Sequence, residues 1–345
     1  FKQKTAYEMT SSLVGSEICI RDRNIFDDDF LEYLANFHFS GDIYAIPEGT
    51  VIFPREPIIK VVAPIMEAQL VETAILNIIN HQSLIATKTS RIVFAANGDG
   101  IMEFGLRRAQ GPDAGLYGAR AAMIGGCVGT SNVLAGQMFD VPVMGTHAHS
   151  WIMSFPDEYT AFKTYAEMYP DNCTLLVDTY DTLKSGVPNA IRVFQEFKDA
   201  GKPLIKYGIR LDSGDLAYLS KKIRKMLDDV GLEDCKIVVS NSLDEYTITS
   251  ILQQGGKIDS FGVGERLITA KSDPVFGAVY KISAVEENGT FAPRIKISEN
   301  VEKITNPGLK DVYRIYDEAG HSVADLITKA GEKVDMSVPY RYADP

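Results

Sequence analysis

The strongest constraint on this chain is a recurring alternation of short apolar β-prone runs with amphipathic helical stretches. The runs are MEFGL (102–106), VPVMGT (141–146), TLLVDT (174–179), LIKYGIRL (204–211), KIVVSN (236–241) and DSFGVG (259–264). Between most of them lie segments such as DEYTAFKTYAEMY, NAIRVFQEFKDAG and DLAYLSKKIRKMLDDVG, several closing on Gly, the usual residue just past a helix. Strands joined through a helix run parallel, and a parallel sheet needs helices over it to keep its apolar faces dry. Six such units in series predict a closed or nearly closed α/β barrel rather than an open sheet. Ahead of them, GDIYAIPEGTVIFPREPIIKVVAP (41–64) is broken by Pro and Gly into short pieces and predicts a small antiparallel region. The stretch from Ile65 to Ile92 has neither Pro nor Gly and predicts one or two helices, with His81 a structural residue inside them.

Polar residues cluster where each apolar run ends. In order they are Arg107 and Arg108, Thr146 with His147 and His149, Asp178, Arg210 with Asp212 and Asp215, Ser240 with Asn241, and Gly262 with Gly264. Solvated loops would supply mainly Lys and Glu. In a parallel barrel the C-terminal strand ends share one face, where active sites are built, so these residues are expected to meet.

The composition of the 345 residues is that of a globular protein, 45% hydrophobic and 23% charged. A net charge of −11 speaks against nucleic acid or an anionic membrane as the main partner, and no run of apolar residues is long enough for a transmembrane helix. Cys19, Cys127, Cys173 and Cys235 lie far apart, with no CxxC, which predicts neither a disulfide framework nor a structural zinc site and fits a cytoplasmic setting. No dedicated metal ligands are assigned. There is no P-loop and no GxGxxG fingerprint.

In an acidic chain, Arg107, Arg108 and Arg210 around one mouth imply an anionic ligand, because the planar guanidinium fork suits carboxylate and phosphate. FGVGE (261–265) carries a GxG at a strand end, where backbone N–H groups can approach a phosphate. In RLDSGDL (210–216), Asp215 is placed to cap the next helix, whereas Asp212 has no such structural use. A carboxylate beside a phosphate site suits ribose hydroxyls or a magnesium ion. These parts describe a pocket for a phosphorylated sugar and a second, carboxylated substrate.

FGLRRAQGPDAGLYGARAAMIGG, SNVLAGQMFDVPVMGTHAHSWIMSF, LLVDTYDTLKSGVPNAI, GIRLDSGDL and FGVGERLITA follow the order and spacing of the nicotinate phosphoribosyltransferases. This resemblance covers roughly residues 26–340. It implies a type II phosphoribosyltransferase, an irregular α/β barrel with a partial α/β-sandwich domain built from both chain ends. The segments expected are a leader at 1–23 that is not native, a sandwich piece at 24–65, the barrel at 66–285 and a truncated C-terminal piece at 286–345. It also implies the reaction of nicotinate with phosphoribosyl pyrophosphate to give nicotinate mononucleotide and pyrophosphate, in NAD biosynthesis, with ATP and Mg2+ as cofactors and a homodimer as the assembly. ATP hydrolysis would be coupled through a phosphohistidine.

By the resemblance, His149 is the phosphorylated histidine and His147, at the variable position of the motif, is a bystander. Either Asp178 or Asp212 is a candidate to orient the His149 ring. Arg210 and Thr146 correspond to nicotinate contacts, Arg107 to an important arginine, and Ser240, Asn241, Gly262 and Gly264 to the ribose-phosphate site. Locally, His149 is expected in a loop, with a helix opening near Ser154. Two features depart from the family. Its N-terminal tyrosine motif has no counterpart in residues 1–23, so this polypeptide is expected to be weakly active or inactive. Glu265 stands where relatives carry threonine, and is expected to turn away from the phosphate or bind it through metal. The competing readings are a sibling enzyme acting on nicotinamide or quinolinate, and an inactive nucleotide-binding barrel.

Overall fold

In the computed structural model the described residues are 25–202, 204–297, 299, 304–335 and 337–338. The expected leader at 1–23, Cys19 within it and the last residues of the C-terminal piece lie outside them. Strands β1 (Asp42–Ala45) and β2 (Ile59–Val62) come first and pair antiparallel, as the Pro- and Gly-broken stretch predicts. Six parallel strands follow: β3 (Gly100–Glu103), β4 (Gly129–Thr130), β5 (Cys173–Leu176), β6 (Tyr207–Leu211), β7 (Lys236–Ser240) and β8 (Ser260–Val263). Two antiparallel pairs complete the chain, β9 (Ala284–Glu287) with β10 (Thr290–Pro293), and β11 (Lys310–Tyr316) with β12 (Ser322–Lys329). The chain divides into two compact units, one from residues up to Ile78 together with those from Gly277 onward, the other Ile79–Phe276. The second unit carries the parallel sheet.

That sheet has the spatial order β4-β3-β8-β7-β6-β5. Followed around, this is chain order with the last strand laid beside the first: β5, β6, β7, β8, then β3 and β4. It is the strand order of a barrel, curled and left with a seam between β4 and β5. The architecture is thus the nearly closed barrel that the alternation predicts, in the irregular form that the resemblance implies. Apolar side chains fill it. Leu175, Leu176, Ile209, Leu211, Ile237, Val239, Phe261 and Val263 are all buried, and Phe162, Val193, Ile223 and Ile248 press on them from the covering helices. Burying each such side chain contributes about 1.5–3 kcal/mol, which holds the helices against the sheet.

Two details differ from the expectation. VPVMGT forms no strand of its own: Pro142 lacks an N–H, and the run meets β4 only through the bridge of Val143 to Thr130, made by the Pro142 carbonyl and the Met144 N–H. The neighbour it bridges, β4, is two residues long, too short for any periodicity to reveal. The helices open on the face where the strands end. Asp215 caps the helix Leu216–Asp228 by accepting from the Tyr218 N–H at 2.9 Å, and Asp157 does the same for Glu158–Met168 through Thr160 at 2.8 Å. No helix among the described residues is long and apolar enough to cross a membrane.

Candidate active site

Arg210 is the hub. It lies on β6 between buried Ile209 and Leu211 and so faces the opposite side of the strand from both. Its Nε donates to Ser240 Oγ at 2.9 Å, Nη1 to Thr146 Oγ1 at 2.7 Å and Nη2 to Asp212 Oδ1 at 3.2 Å. Ser240 closes the triangle by donating to Asp212 Oδ1. The guanidinium carbon stands 5.8 Å from the centre of the Phe104 ring, within cation–π range. A side chain held on three sides is preorganised, and the fork has more N–H groups than these three acceptors use. Two of its five N–H groups are left over by these three contacts.

Asp212 and Asp178 form the second part. Oδ2 of Asp178 accepts from the Asp212 N–H at 3.1 Å and from the Ser213 hydroxyl, which ties the end of β5 to the end of β6. Asp178 Oδ1 is buried and has no hydrogen-bond partner. His149 approaches this pair with Nε2, 3.9 Å from Asp178 Oδ1 and 3.8 Å from Asp212 Oδ2. Its Nδ1 lies 3.0 Å from Thr179 Oγ1. The orienting partner of the ring is therefore a hydroxyl, and both carboxylates flank Nε2 instead. His149 also opens a short helix of its own, His149–Met153, begun by the Trp151 N–H bonding to Ala148; it is not in a loop ahead of a helix near Ser154.

His147 points away from this cluster and is buried. Its Nε2 accepts the Leu176 N–H at 3.2 Å, and its ring meets Tyr165 edge-on at 4.6 Å between centroids. Burial pushes its pKa down to about 4, with smaller contributions from neighbouring Arg210 and His149, so the ring is neutral. As an acceptor through Nε2 it carries its proton on Nδ1. It is a structural pin across the seam of the sheet, a task its position in the sequence does not announce.

The β3 and β8 tips supply the third part. Gly262 is a glycine because a Cβ there would lie 2.6 Å from the Phe104 ring, so its face is filled by that ring and by Ser240. At Gly264 a Cβ would lie 3.1 Å from the Phe104 carbonyl. The short helix Glu265–Ile268 follows. Glu265 faces Arg108 at 3.8 Å and Lys271 at 3.6 Å, so two cations screen its charge. Arg107 and Arg108 sit on an exposed 3-10 turn, Leu106–Arg108, at the rim. Asn241 is exposed and takes a left-handed backbone, with φ of 92°. The strand tips thus link into one set: Phe104 joins β3 to Gly262 on β8 and to Arg210 on β6, and Ser240 joins β7 to β6.

The family model described as "Nicotinate phosphoribosyltransferase (NAPRTase) family" matches residues 100–331, and its N-terminal domain model matches residues 17–80. This chain belongs to the nicotinate phosphoribosyltransferase family. Among curated relatives, the nicotinate phosphoribosyltransferase of Bacillus subtilis (strain 168) is 53% identical over 94% of this chain and 66% of its own length. That of Dictyostelium discoideum is 41% identical, over 89% of this chain and 59% of its own length. The chain thus spans less than two thirds of either relative. The solved structure of human nicotinic acid phosphoribosyltransferase superposes with a TM-score of 0.77 at 30% identity, covering 93% of this chain and 71% of that one.

Within this member of the family, the structure brings together Thr146, His149, Asp178, Arg210, Asp212 and Ser240 in direct hydrogen-bonding or ion-pair distance. Arg107, Arg108, Asn241 and Glu265 are placed around the rim, and Gly262 and Gly264 serve the packing of Phe104. Two participants were not foreseen. Thr179 follows Asp178 directly at a strand end, a hydroxyl beside a carboxylate that could have been noticed. Phe104 gave no signal, since an aromatic in an apolar run reads as core.

Proposed function

We propose that this chain is the catalytic part of an enzyme joining nicotinate to phosphoribosyl pyrophosphate, giving nicotinate mononucleotide and pyrophosphate, driven by ATP. The observation that carries this reading is the Arg210 fork, fixed by three acceptors with two N–H groups to spare, beside the His149–Asp178–Asp212 group. The relatives' names point the same way. In this reading the carboxylate of nicotinate takes the open side of Arg210, with Thr146 and Ser240 holding the fork rigid. The bond from the ribose carbon to pyrophosphate breaks, the pyridine nitrogen forms the new bond to that carbon, and the bonding pair leaves with pyrophosphate. Positive charge that develops on the sugar faces Asp212 and Asp178, while Arg107 and Arg108 face the departing anion.

ATP acts at His149. With Nδ1–H donating to Thr179, the lone pair of Nε2 is free to take the γ-phosphoryl group, and ADP leaves. Hydrolysis of that N–P bond later returns the free imidazole and releases inorganic phosphate. Magnesium fits the donor set, because it takes few carboxylates along with substrate phosphates; Asp212 and the unpartnered Asp178 Oδ1 would hold it. When bound it supplies charge neutralisation on the phosphates. A homodimer is the proposed assembly, supported by the exposed apolar side chains Val133, Leu134, Met138 and Val143 beside the seam.

The test compares nicotinate, nicotinamide and quinolinate as substrates, each with and without ATP. Turnover of nicotinate that ATP increases is expected. A preference for either other pyridine, or indifference to ATP with all three, overturns the reading.

A further inference from the structure

Glu103 ends β3 and its side chain is 0% exposed, yet no ion pair to it is found among the described residues. Its partners are neutral. Oε1 accepts from the Gly105 N–H, and Oε2 accepts from the Thr130 hydroxyl at 2.6 Å. The Thr130 oxygen in turn accepts from the Asn132 N–H at 3.0 Å, and Asn132 caps the helix Val133–Phe139 through Ala135 and donates to the Gly115 carbonyl at 3.3 Å. The Glu103 carbonyl receives the Ser131 N–H at 3.0 Å, so the residue grips β4 with backbone and side chain together.

A buried carboxyl without a counter-charge is costly, and burial pushes its pKa upward. A hydrophobic side chain would serve the core better. What the carboxyl achieves is a fold-back: by holding the N–H two residues ahead, it bends the chain after β3. That bend lays the Phe104 ring against Gly262 and beneath Arg210, and it starts the turn that carries Arg107 and Arg108, whose first bond is from the Arg108 N–H to the Gly105 carbonyl at 2.8 Å.

We propose that Glu103 is a positioning residue for the anion-binding rim: its carboxyl clamps the 104–108 turn to β4 and thereby sets the two rim arginines and the ring under Arg210. Glu103 touches no substrate, and the role rests on the reading of this face as a phosphoribosyl pyrophosphate site.

The test uses the full chain and inorganic pyrophosphate as the probe, with calorimetric binding measured beside nicotinate turnover. Glu103→Gln keeps an acceptor for Gly105 and gains an amide donor for Thr130, so its pyrophosphate affinity is expected within about threefold of the parent. Glu103→Met keeps the volume but neither bond; its affinity is expected to fall about tenfold, with KM for phosphoribosyl pyrophosphate rising more than kcat falls. If Glu103→Met does not fold, Thr130→Val removes the Oε2 bond and the acceptor of the Asn132 N–H while leaving the Gly105 bond in place, and is expected to weaken pyrophosphate binding in the same direction. Equal binding by a folded Glu103→Met, equal damage in Glu103→Gln, no effect of Thr130→Val where it must stand in, or no pyrophosphate binding by the parent would each overturn the proposal. A parent that binds pyrophosphate but does not turn over nicotinate leaves the positioning role standing and removes the proposed reaction.

Discussion

The backbone N–H of Leu176, on the outer edge of β5, donates to Nε2 of His147 at 3.2 Å. Cys173 and Val177 send theirs the other way, to the carbonyls of Lys206 and Arg210 toward β6. An edge strand normally leaves its outward N–H to water or to a further strand, and here an imidazole takes that place. Because the residues on either side of His147 lead to Thr146 and His149, the same bond sets the loop that delivers both to the site.

That bond exists only with a neutral ring, since a second proton would set two donors face to face. The folded pKa is down at about 4, against about 6.5 for an ordinary histidine. The unfolded chain therefore takes up its proton first as pH falls. The stability His147 contributes is full above about pH 6.5 and is lost progressively toward pH 4, by up to about 3 kcal/mol. Urea unfolding across this window should show the loss, and His147→Gln, which keeps an acceptor that does not titrate, should flatten it. An identical pH slope in that variant would count against the assignment.

Arg210→Lys keeps the charge but replaces the planar fork with a single point donor. It cannot serve Ser240, Thr146 and Asp212 and still present an edge to a carboxylate. A loss of about a hundredfold in kcat/KM for nicotinate is expected, about 2.7 kcal/mol of transition-state stabilisation, with little change in thermal midpoint. A loss confined to stability, with kinetics intact, would show Arg210 to be only a scaffold.

Gly186 lies where a Cβ would stand 1.8 Å from the Val177 carbonyl oxygen, a backbone atom that cannot yield without moving the end of β5. Gly186→Ala is expected to destabilise the chain by about 3 kcal/mol or more and to disturb Asp178, the next residue. Denaturant unfolding beside an activity assay checks both effects.

Glu265 is half exposed, so its pairing with Arg108 is screened and worth at most about 1 kcal/mol. Glu265→Gln should release Arg108 to the ligand, lowering KM for phosphoribosyl pyrophosphate about twofold at low salt, with the effect vanishing at high salt. Titration of KM against ionic strength for both forms tests this.

The fold was legible because β5, β6, β7 and β8 are apolar runs bounded by Gly and Asp, and length and composition suffice to read those. The seam was not, since β4 is two residues long and the bond across it comes from a side chain. The site was legible where charge breaks an apolar run, as at Arg210, Asp212 and Asp178. It was hidden where the residue type is ordinary for its place: Thr179 in a strand end, Phe104 in a core run, and Glu103, whose burial only the folded chain reveals. The glycines at 262 and 264 illustrate the converse. A GxG invites a phosphate, yet their immediate neighbours are the ring and carbonyl of Phe104.

His149 Nε2 stands between Asp178 and Asp212, and the proposed reaction requires ATP to phosphorylate it. Mass spectrometry of the chain after incubation with ATP and magnesium, under conditions that preserve acid-labile phosphate, tests this directly. One phosphate is expected, on His149, absent from His149→Ala and reduced in Thr179→Val. Phosphate on another residue, or ATP-stimulated turnover of nicotinate with His149 unmodified and replaceable by alanine, would contradict the proposed reaction.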